Sequence, residues 1–367
     1  IDKAVDVTAL ALGAKARTLV FALRTSRRIY VYDLSPPAAP EFALSQAAVC
    51  VGHKGYISGV SIFPDGRRMV SCARDASLRI WSTSSGEELA RLVHTSSSIS
   101  AVVVSAESGD VFFASGSTVT VWTPETDELR TLSPGTSGSL GSSRVSTLAL
   151  APPLEAFVGA GKASGTRPVW DLATGICMQH VSGHRGPVLG VTALAPEVLG
   201  GAGGHEQAAF GSVFTASEDR TIRHFQIERR KVDTATIQRI RHKEPTTCLA
   251  LATDGSYILT GAADRTVIAW STERASSSSL GGRRFRILDN HPGAVTALAL
   301  TLDSKFVVST AGSHLMVWNL KAARLVWSAR VTESPISCIA ASNTAVVAAC
   351  ALGSVPVYAL SDSGMLE

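Results

Sequence analysis

Three aspartates stand in nearly the same sequence context, and the residue types around them could do chemistry. Asp75, Asp219 and Asp264 lie in the segments CARDASLRIW, SEDRTIRHF and GAADRTVIAW, each six residues before an aromatic. A carboxylate combined with a histidine and a serine or threonine hydroxyl can perform nucleophilic hydrolysis. That chemistry needs one exposed hydroxyl and oxyanion donors around an open pocket. Because the pattern occurs three times in one chain, it favours a structural role over an active site.

The spacing of residues argues against a phosphate-binding loop and against a metal site. The segment VGAGKASG at 158–165 is similar to a phosphate-binding loop, which requires a glycine five residues before Gly161 and a hydroxyl residue after Lys162. Ala156 and Ala163 occupy those two positions. The nine histidines show no pair at metal-ligand spacing. We therefore expect no catalytic residue, no metal and no cofactor.

The composition predicts a large core built from short elements. Of the 367 residues, 45% are hydrophobic and only 17% are charged, so a disordered chain is not expected. The 31 glycines and 15 prolines are typical of short strands joined by turns. A formal net charge of +4 is slight for this length and does not require a nucleic-acid partner.

Cysteine usage and hydropathy predict an intracellular protein, in the cytoplasm or the nucleus. The six cysteines are scattered without a C-x-x-C pair, which favours a reducing compartment. The first ten residues, IDKAVDVTAL, do not have the pattern of a signal peptide. The apolar stretch at 343–360 is split by Gly353 and Pro356 into two lengths that suit strands, so no membrane insertion is expected.

A strand-like segment ending in an aromatic recurs along the whole chain. Its aromatics are Tyr32, Trp81, Trp122, Trp170, Phe225, Trp270, Trp318 and Tyr358, at intervals of 40 to 55 residues. The units end near residues 34, 83, 124, 172, 227, 272, 320 and 360. In the second unit, YISGVSIF, RRMVSCA, LRIWS and EELARLVH are separated by turn residues, which predicts four strands. The fold class is all-β: a single β-propeller of four-stranded antiparallel blades, eight by this count and seven as the alternative.

At these residues the chain resembles the WD-repeat (WD40) β-propellers. Gly-His occurs at Gly52-His53 and Gly183-His184, and Trp-Asp at Trp170-Asp171. The resemblance implies structural tetrads of histidine, hydroxyl residue, aspartate and aromatic. They are His53, Ser71, Asp75 and Trp81; His184, Thr215, Asp219 and Phe225; and His242, Thr260, Asp264 and Trp270. The seventh unit keeps His291 and Trp318 without the aspartate.

The resemblance also implies what each tetrad does. The aspartate lies in the turn between the second and third strands and accepts hydrogen bonds from turn amides and from the histidine. The histidine meets the hydroxyl, which meets the indole N–H, and such a buried chain fixes one geometry when every member is satisfied. The residue after the aspartate then points outward, so we expect Arg220 and Arg265 to be exposed.

Basic residues cluster at four places, and two clusters are expected on one face of neighbouring blades. The clusters are Arg24, Arg27 and Arg28; Arg229, Arg230 and Lys231; Arg239, Arg241, His242 and Lys243; and Arg283, Arg284 and Arg286. The candidate partner-binding patch is Arg229, Arg230, Lys231, Arg283, Arg284 and Arg286. Ordinary solvated surface charge remains the alternative.

A non-enzymatic scaffold for protein–protein interactions in a multi-subunit complex is the function that these features favour. The alternative is an RNA- or ribonucleoprotein-associated propeller, for example in ribosome assembly, that uses the basic patch. VDVTALAL is already an innermost strand, and only ALSDSGMLE follows Tyr358. We therefore expect that an outer strand of the last unit comes from residues preceding Ile1 or from a partner.

Overall fold

The structure is a computed structural model in which every described element is a β-strand. It describes residues 7–13, 18–23, 27–33, 45–93, 97–105, 108–116, 118–132, 145–151, 156–161, 167–171, 177–181, 183–194, 211–228, 231–233, 240–252, 256–271, 274–275, 279–280, 284–301, 303–350 and 355–366. These residues contain no helix, and therefore none that is long and apolar enough to cross a membrane.

The first four sheets each contain four antiparallel strands in sequence order, and we call them blades 1 to 4. Blade 1 is β1 (Val7–Gly13), β2 (Thr18–Leu23), β3 (Arg28–Asp33) and β4 (Ser45–Val51). Blade 2 is β5 (Ile57–Ile62), β6 (Arg68–Ala73), β7 (Ser77–Ser82) and β8 (Glu88–Val93). Blade 3 is β9 (Ile99–Val104), β10 (Val111–Ser115), β11 (Thr118–Thr123) and β12 (Glu128–Leu132). Blade 4 is β13 (Val145–Ala151), β14 (Ala156–Gly161), β15 (Arg167–Asp171) and β16 (Cys177–Val181).

Blades 5, 6 and 7 follow the same order, with two additions. Blade 5 is β17 (Val188–Leu194), β18 (Gly211–Ser217), β19 (Thr221–Glu228) and β20 (Lys231–Asp233), and β21 (Ile240–Arg241) also pairs with β19. Blade 6 is β22 (Thr246–Leu251), β23 (Tyr257–Ala262), β24 (Val267–Ser271) and β27 (Arg284–Leu288), with the hairpin β25 (Arg274–Ala275) and β26 (Ser279–Leu280) inserted. Blade 7 is β28 (Val295–Leu300), β29 (Phe306–Ala311), β30 (His314–Asn319) and β31 (Arg324–Arg330).

A three-stranded sheet of β32 (Ile336–Ala341), β33 (Ala345–Cys350) and β34 (Val357–Ala359) lies between blade 7 and blade 1. The innermost strands of neighbouring sheets pack side by side around the ring, and β32 packs against both β28 and β1. The all-β propeller is therefore confirmed. Seven blades have four or more strands, as in the alternative count, and the eighth predicted unit contributes the three-stranded sheet.

The core consists of apolar layers between adjacent sheets. Val20, Val31 and Cys50 of blade 1 pack against Ile57 and Met69 of blade 2 in one such layer. A further layer joins the three-stranded sheet to blade 1 through Val347, Ala349, Leu19 and Phe21. Burial of apolar surface between sheets is the main force holding such a ring together.

The innermost strands share a β-bulge that the sequence pattern did not reveal. The residues inside the bulges are Thr8, Ser58, Ser100, Ser146, Leu189, Thr247, Thr296 and Ser337, so a hydroxyl residue stands at seven of the eight positions. Among the bulge residues whose side chains are described, four hydroxyls donate to a carbonyl of the next innermost strand: Ser58 to Ile99 at 2.5 Å, Ser100 to Val145 at 2.6 Å, Thr247 to Val295 at 2.5 Å, and Thr296 to Ile336 at 3.2 Å. Hydrogen bonds thus join adjacent blades near the central channel.

The segment after β34 folds back onto blade 7. Leu360 and Leu366 form a bridge and are both buried beside Phe306. Lys305 Nζ donates to the carbonyl of Asp362 at 2.6 Å. Gly364 has φ +87°, and a Cβ there would collide with the ring of Phe306. Among the described residues no strand pairs with the outer side of β34.

Candidate functional site

The turns of the ring lie on two faces. Turns between the second and third strands of a blade and connections between blades share one face, which we call the upper face. Turns between first and second strands and between third and fourth strands share the other, the lower face. The predicted tetrads position the upper-face turns.

Blade 2 brings all four members of its tetrad together. His53 Nδ1 lies 3.1 Å from Asp75 Oδ2, and its Nε2 lies 2.7 Å from Ser71 Oγ. The indole N–H of Trp81 donates to the same Oγ at 2.8 Å. Asp75 also accepts the amides of Lys54 at 2.7 Å and Gly55 at 3.2 Å, so one carboxylate ties two upper-face turns together.

Blade 6 repeats the arrangement. His242 lies 3.1 Å from Asp264 and 2.8 Å from Thr260, and Trp270 donates to Thr260 at 3.0 Å. The amide of Lys243 donates to Asp264 at 3.0 Å.

Blade 5 repeats it with an aromatic that has no donor. His184 lies 3.0 Å from Asp219 and 2.7 Å from Thr215, and the amide of Arg185 donates to Asp219 at 2.9 Å. Phe225 fills the aromatic position and is fully buried.

Blade 7 holds its histidine, His291, without an aspartate. His291 Nε2 lies 2.8 Å from Ser309 Oγ, and Trp318 donates to that hydroxyl at 2.8 Å. The other ring nitrogen lies 3.1 Å from the carbonyl of Arg265, which belongs to blade 6. We call the hydrogen-bonded set around each of these histidines, with its hydroxyl residue, its aromatic and, where present, its aspartate, the brace of that blade. The brace of blade 7 therefore crosses from one blade to the next.

A second hydroxyl donates to each aspartate and was not among the residues predicted from the sequence. Ser77, Thr221 and Thr266 stand two residues after the aspartates and donate to them at 2.7, 2.5 and 2.6 Å. The signal was present as Asp-x-Ser/Thr in all three segments. Ser309, the hydroxyl of blade 7, was also missed, because the missing aspartate removed the reference point for finding it.

The electrostatics keep the aspartates ionised. Partial burial opposes ionisation, but hydrogen bonds from Ser77, the Lys54 amide and His53 outweigh it and hold the pKa of Asp75 far below its usual range. The same balance, with Thr221 as the largest favourable donor, lowers the pKa of Asp219 to about 2. Burial lowers the pKa of His53 despite the neighbouring Asp75 charge.

The glycine that precedes the histidine in blades 2 and 5 lies against the end of an arginine side chain, and Gly183 also has φ +122°, a conformation that favours glycine. A Cβ at Gly52 would collide with the guanidinium of Arg79, and one at Gly183 with that of Arg223. Arg79 forms an ion pair with Glu88, and Arg223 donates to the carbonyl of Gly183. In blade 6 the corresponding third-strand residue is Ile268, and Arg241 precedes the histidine.

These networks cannot present a nucleophile to a substrate. Ser71, Thr215 and Thr260 have no exposed surface, and each hydroxyl is engaged by a histidine. The described residues include no group of three or more histidine, cysteine, aspartate or glutamate side chains that could hold a metal ion. A surface cavity of about 210 Å³ on the lower face between blades 2 and 3 contains the Asp65–Arg68 ion pair and Glu125.

The family model described as "WD domain, G-beta repeat" matches residues 44–82, 235–271 and 282–319, which contain the braces of blades 2, 6 and 7. The chain is a WD-repeat β-propeller. The match omits the brace of blade 5, where Phe225 replaces tryptophan.

Curated relatives share part of this WD-repeat sequence. "Telomerase protein component 1" of Rattus norvegicus is 24% identical over 80% of this chain, and the Mus musculus protein of that name is 23% identical over 80%. "WD repeat- and FYVE domain-containing protein 4" of Mus musculus is 31% identical over 26% of the chain. The matched parts span 10%, 10% and 3% of those proteins, so the chain covers only a small part of each.

A solved structure has a similar fold. The crystal structure of the computationally designed Ika8 protein matches with a TM-score of 0.73 and 22% identity, over 97% of this chain and 96% of that one. At this level of identity the likeness concerns the fold alone.

The basic patch predicted at blades 5 and 6 is only partly described. Arg229, Arg230 and Arg283 lie outside the described residues. Lys231 is in β20 and Arg284 is in β27, the outermost strands of two neighbouring blades. Arg286 donates from Nε to the carbonyl of Lys321 at 3.3 Å.

Proposed function

We propose that the WD-repeat propeller is a non-enzymatic scaffold that binds other proteins through its upper-face turns, as part of a larger intracellular assembly. The observation that carries this proposal is that each brace fixes the backbone of an upper-face turn and leaves side chains of that turn exposed. The backbones of Lys54, Arg185 and Lys243 are fixed by hydrogen bonds to the aspartates, while their side chains are exposed.

Arg220 and Arg265, beside the aspartates, are exposed as expected. A rigid backbone that presents exposed side chains loses little conformational entropy on binding, which favours association with a protein surface. The protein-component name of the telomerase relatives supports membership in an assembly.

Affinity capture tests the proposal directly. The chain is captured from its source cell after mild crosslinking, and the recovered proteins are identified by mass spectrometry. A reproducible set of co-purifying proteins is expected. The control is a chain with Asp75, Asp219 and Asp264 all changed to alanine, in which loosened turns should recover less of that set. Recovery of background proteins alone would contradict the scaffold function.

A second candidate function is RNA association through the patch of Arg229, Arg230, Lys231, Arg283, Arg284 and Arg286. It is favoured by the backbone positions of Lys231 and Arg284 on neighbouring outer strands. Phosphate contacts release counterions, so RNA affinity would fall steeply with salt concentration. A shallow salt dependence, unchanged by reversal of these six charges, would exclude this candidate.

A further inference from the structure

We propose that the upper face at blades 1 and 2 is a docking site for an acidic peptide segment with an apolar anchor residue, contributed by a protein partner. The site consists of Arg27, Arg28, Val51, Lys54, Tyr56 and Arg74, which we call the blade 1–2 patch. All six residues are exposed. This inference rests on the proposed scaffold function and specifies one surface and one partner chemistry for it.

Backbone contacts place these residues side by side. Arg28 is paired with Val51 across β3 and β4, so their side chains leave the same face of the sheet. Three residues further on, the amide of Lys54 donates to Asp75 at 2.7 Å. The next residue along this path, Arg74, precedes Asp75, and its amide donates to the carbonyl of Tyr56 at 2.8 Å.

Arg27 adds a cation in a strained backbone conformation. Its φ is +52°, a left-handed region that is unfavourable for a residue with a side chain. Arg220 holds the corresponding position of blade 5, with φ +68°, and its carbonyl accepts the amide of His242 in the next blade. By this correspondence Arg27 occupies the upper-face turn between β2 and β3 of blade 1.

The turns of the patch contain no exposed carboxylate among the described residues, unlike the equivalent turns of blades 5 and 6. In blade 5 exposed Glu218 takes the position of Arg74, and in blade 6 exposed Glu244 takes the position of Gly55. In the described residues of the blade 1–2 patch and its turns, Asp75 is the one carboxylate, and it faces inward to the brace. Three exposed cations, Arg27, Lys54 and Arg74, against this one engaged carboxylate create a positive surface that attracts an acidic partner.

Tyr56 and Val51 define the apolar part of the site. Tyr56 is 46% exposed and Val51 is 63% exposed. The equivalents of Tyr56 in blades 5 and 6 are Pro187 and Pro245, so the aromatic distinguishes blade 2. A single aromatic cannot stack successive bases, as a single-stranded nucleic-acid platform requires, but it can anchor one apolar side chain of a peptide.

The test is a selection of peptides from a random library displayed on phage, carried out on the whole chain. Selected peptides are synthesised and their affinities measured by fluorescence anisotropy against wild type, Lys54→Glu/Arg74→Glu and Tyr56→Ala. The matched control is Lys243→Glu/Arg265→Glu, which reverses two cations on the equivalent turns of blade 6. Every substituted side chain is exposed, and thermal unfolding checks that the variants fold. An oligouridylate RNA is titrated in parallel.

The expected peptides are net acidic and contain an aromatic or large aliphatic residue. Lys54→Glu/Arg74→Glu should weaken their binding by at least about tenfold, whereas the blade 6 control should stay within about twofold. Tyr56→Ala should weaken binding without changing its salt dependence, because the tyrosine contributes no charge. The proposal is overturned if selection yields no acidic peptide, if the blade 6 control weakens binding equally, or if the RNA binds the patch more tightly than the peptides.

The two proposals fail in different ways. If affinity capture recovers a protein set that Lys54→Glu/Arg74→Glu leaves intact, and the selected peptides are not acidic, the docking site is wrong while the scaffold function stands. If wild type recovers no specific proteins, the scaffold function itself fails.

Discussion

Blades 6 and 7 are neighbours that hold the same histidine in two ways. In blade 6, His242 lies against Asp264, a carboxylate of its own blade. In blade 7, His291 lies against the carbonyl of Arg265, which is the residue directly after Asp264. Both imidazoles meet a hydroxyl that also accepts an indole N–H, from Trp270 in one blade and from Trp318 in the other.

The difference shows which part of the brace is essential to the histidine and which part serves the turn. The imidazole needs an acceptor, and a backbone carbonyl is sufficient. The carboxylate does more, because Asp264 also accepts the amides of Lys243 and Thr266 and the hydroxyl of Thr266. In blade 7, where no aspartate is present, Gly312 with φ +60° makes the corresponding turn. Blade 6 therefore fixes its turn by hydrogen bonds from side chains, whereas blade 7 relies on the left-handed backbone conformation of a glycine.

The aromatic position should give the largest effect in both blades. Trp270→Ala and Trp318→Ala are each expected to cost about 3–5 kcal/mol, because each removes a side chain buried between sheets. Trp270→Phe should cost only about 1 kcal/mol, since blade 5 accommodates a buried phenylalanine, Phe225, at the corresponding position. Urea unfolding of the three variants measures these free energies. A Trp270→Phe variant as unstable as Trp270→Ala would show that the indole hydrogen bond, rather than burial, dominates.

Removing an aspartate should lower the free energy of unfolding in blade 6 and leave it unchanged in blade 7. Asp264→Ala leaves the Lys243 amide, the Thr266 groups and His242 without their acceptor, and is expected to cost about 1–3 kcal/mol. The control is Asp289→Ala, since Asp289 is an exposed aspartate two residues before His291 and makes no hydrogen bond to it. Its free energy of unfolding should match wild type within about 0.5 kcal/mol. Equal losses in the two variants would contradict the structural role of Asp264.

Acid should remove the His291 contribution of blade 7 before the Asp264 contribution of blade 6. Burial lowers the pKa of His291 below its ordinary 6.5, so its contribution is present above pH 6.5 and is lost as the pH falls through the folded-state value. Burial opposes ionisation of Asp264, but bonds from Thr266, His242 and the Lys243 amide lower its pKa below 3.8. Its contribution is therefore present above pH 3.8 and is lost below it. Amide hydrogen exchange resolved by blade measures this order, and simultaneous loss of protection in both blades would contradict it.

The braces could be predicted because their members lie at fixed intervals and are uncommon residue types. The repeated Asp-to-aromatic spacing and the Gly-His pairs identify His53, Asp75 and Trp81 from the sequence alone. Tyr358 predicted the three-stranded sheet as an eighth unit, and the described residues contain three strands of it.

The contacts between blades could not be predicted in the same way. The bulge hydroxyls Ser58 and Thr296 bond to carbonyls 41 and 40 residues away, and serine and threonine are too common for such a pairing to stand out. Trp122 of blade 3 shows a second difficulty, because its indole donates to Asp127 in the following turn at 2.9 Å. An aromatic at the repeat position identifies the strand, but it does not identify its hydrogen-bond partner.

The smallest expected effect tests the backbone of the two turns. Arg265 has φ +66° in the blade 6 turn, and Gly312 has φ +60° in the blade 7 turn, which is one residue shorter. Arg265→Gly removes a left-handed residue with a side chain, but it frees the unfolded chain, so the net change should stay within about 1 kcal/mol of wild type.

Gly312→Ala should cost about 1–2 kcal/mol. A Cβ at Gly312 meets no atom within 4 Å, so steric contact cannot account for that loss. Urea unfolding compares the pair. An unchanged Gly312→Ala variant would mean that the blade 7 turn shifts to another conformation without cost, and that it is less firmly fixed than the turn held by Asp264.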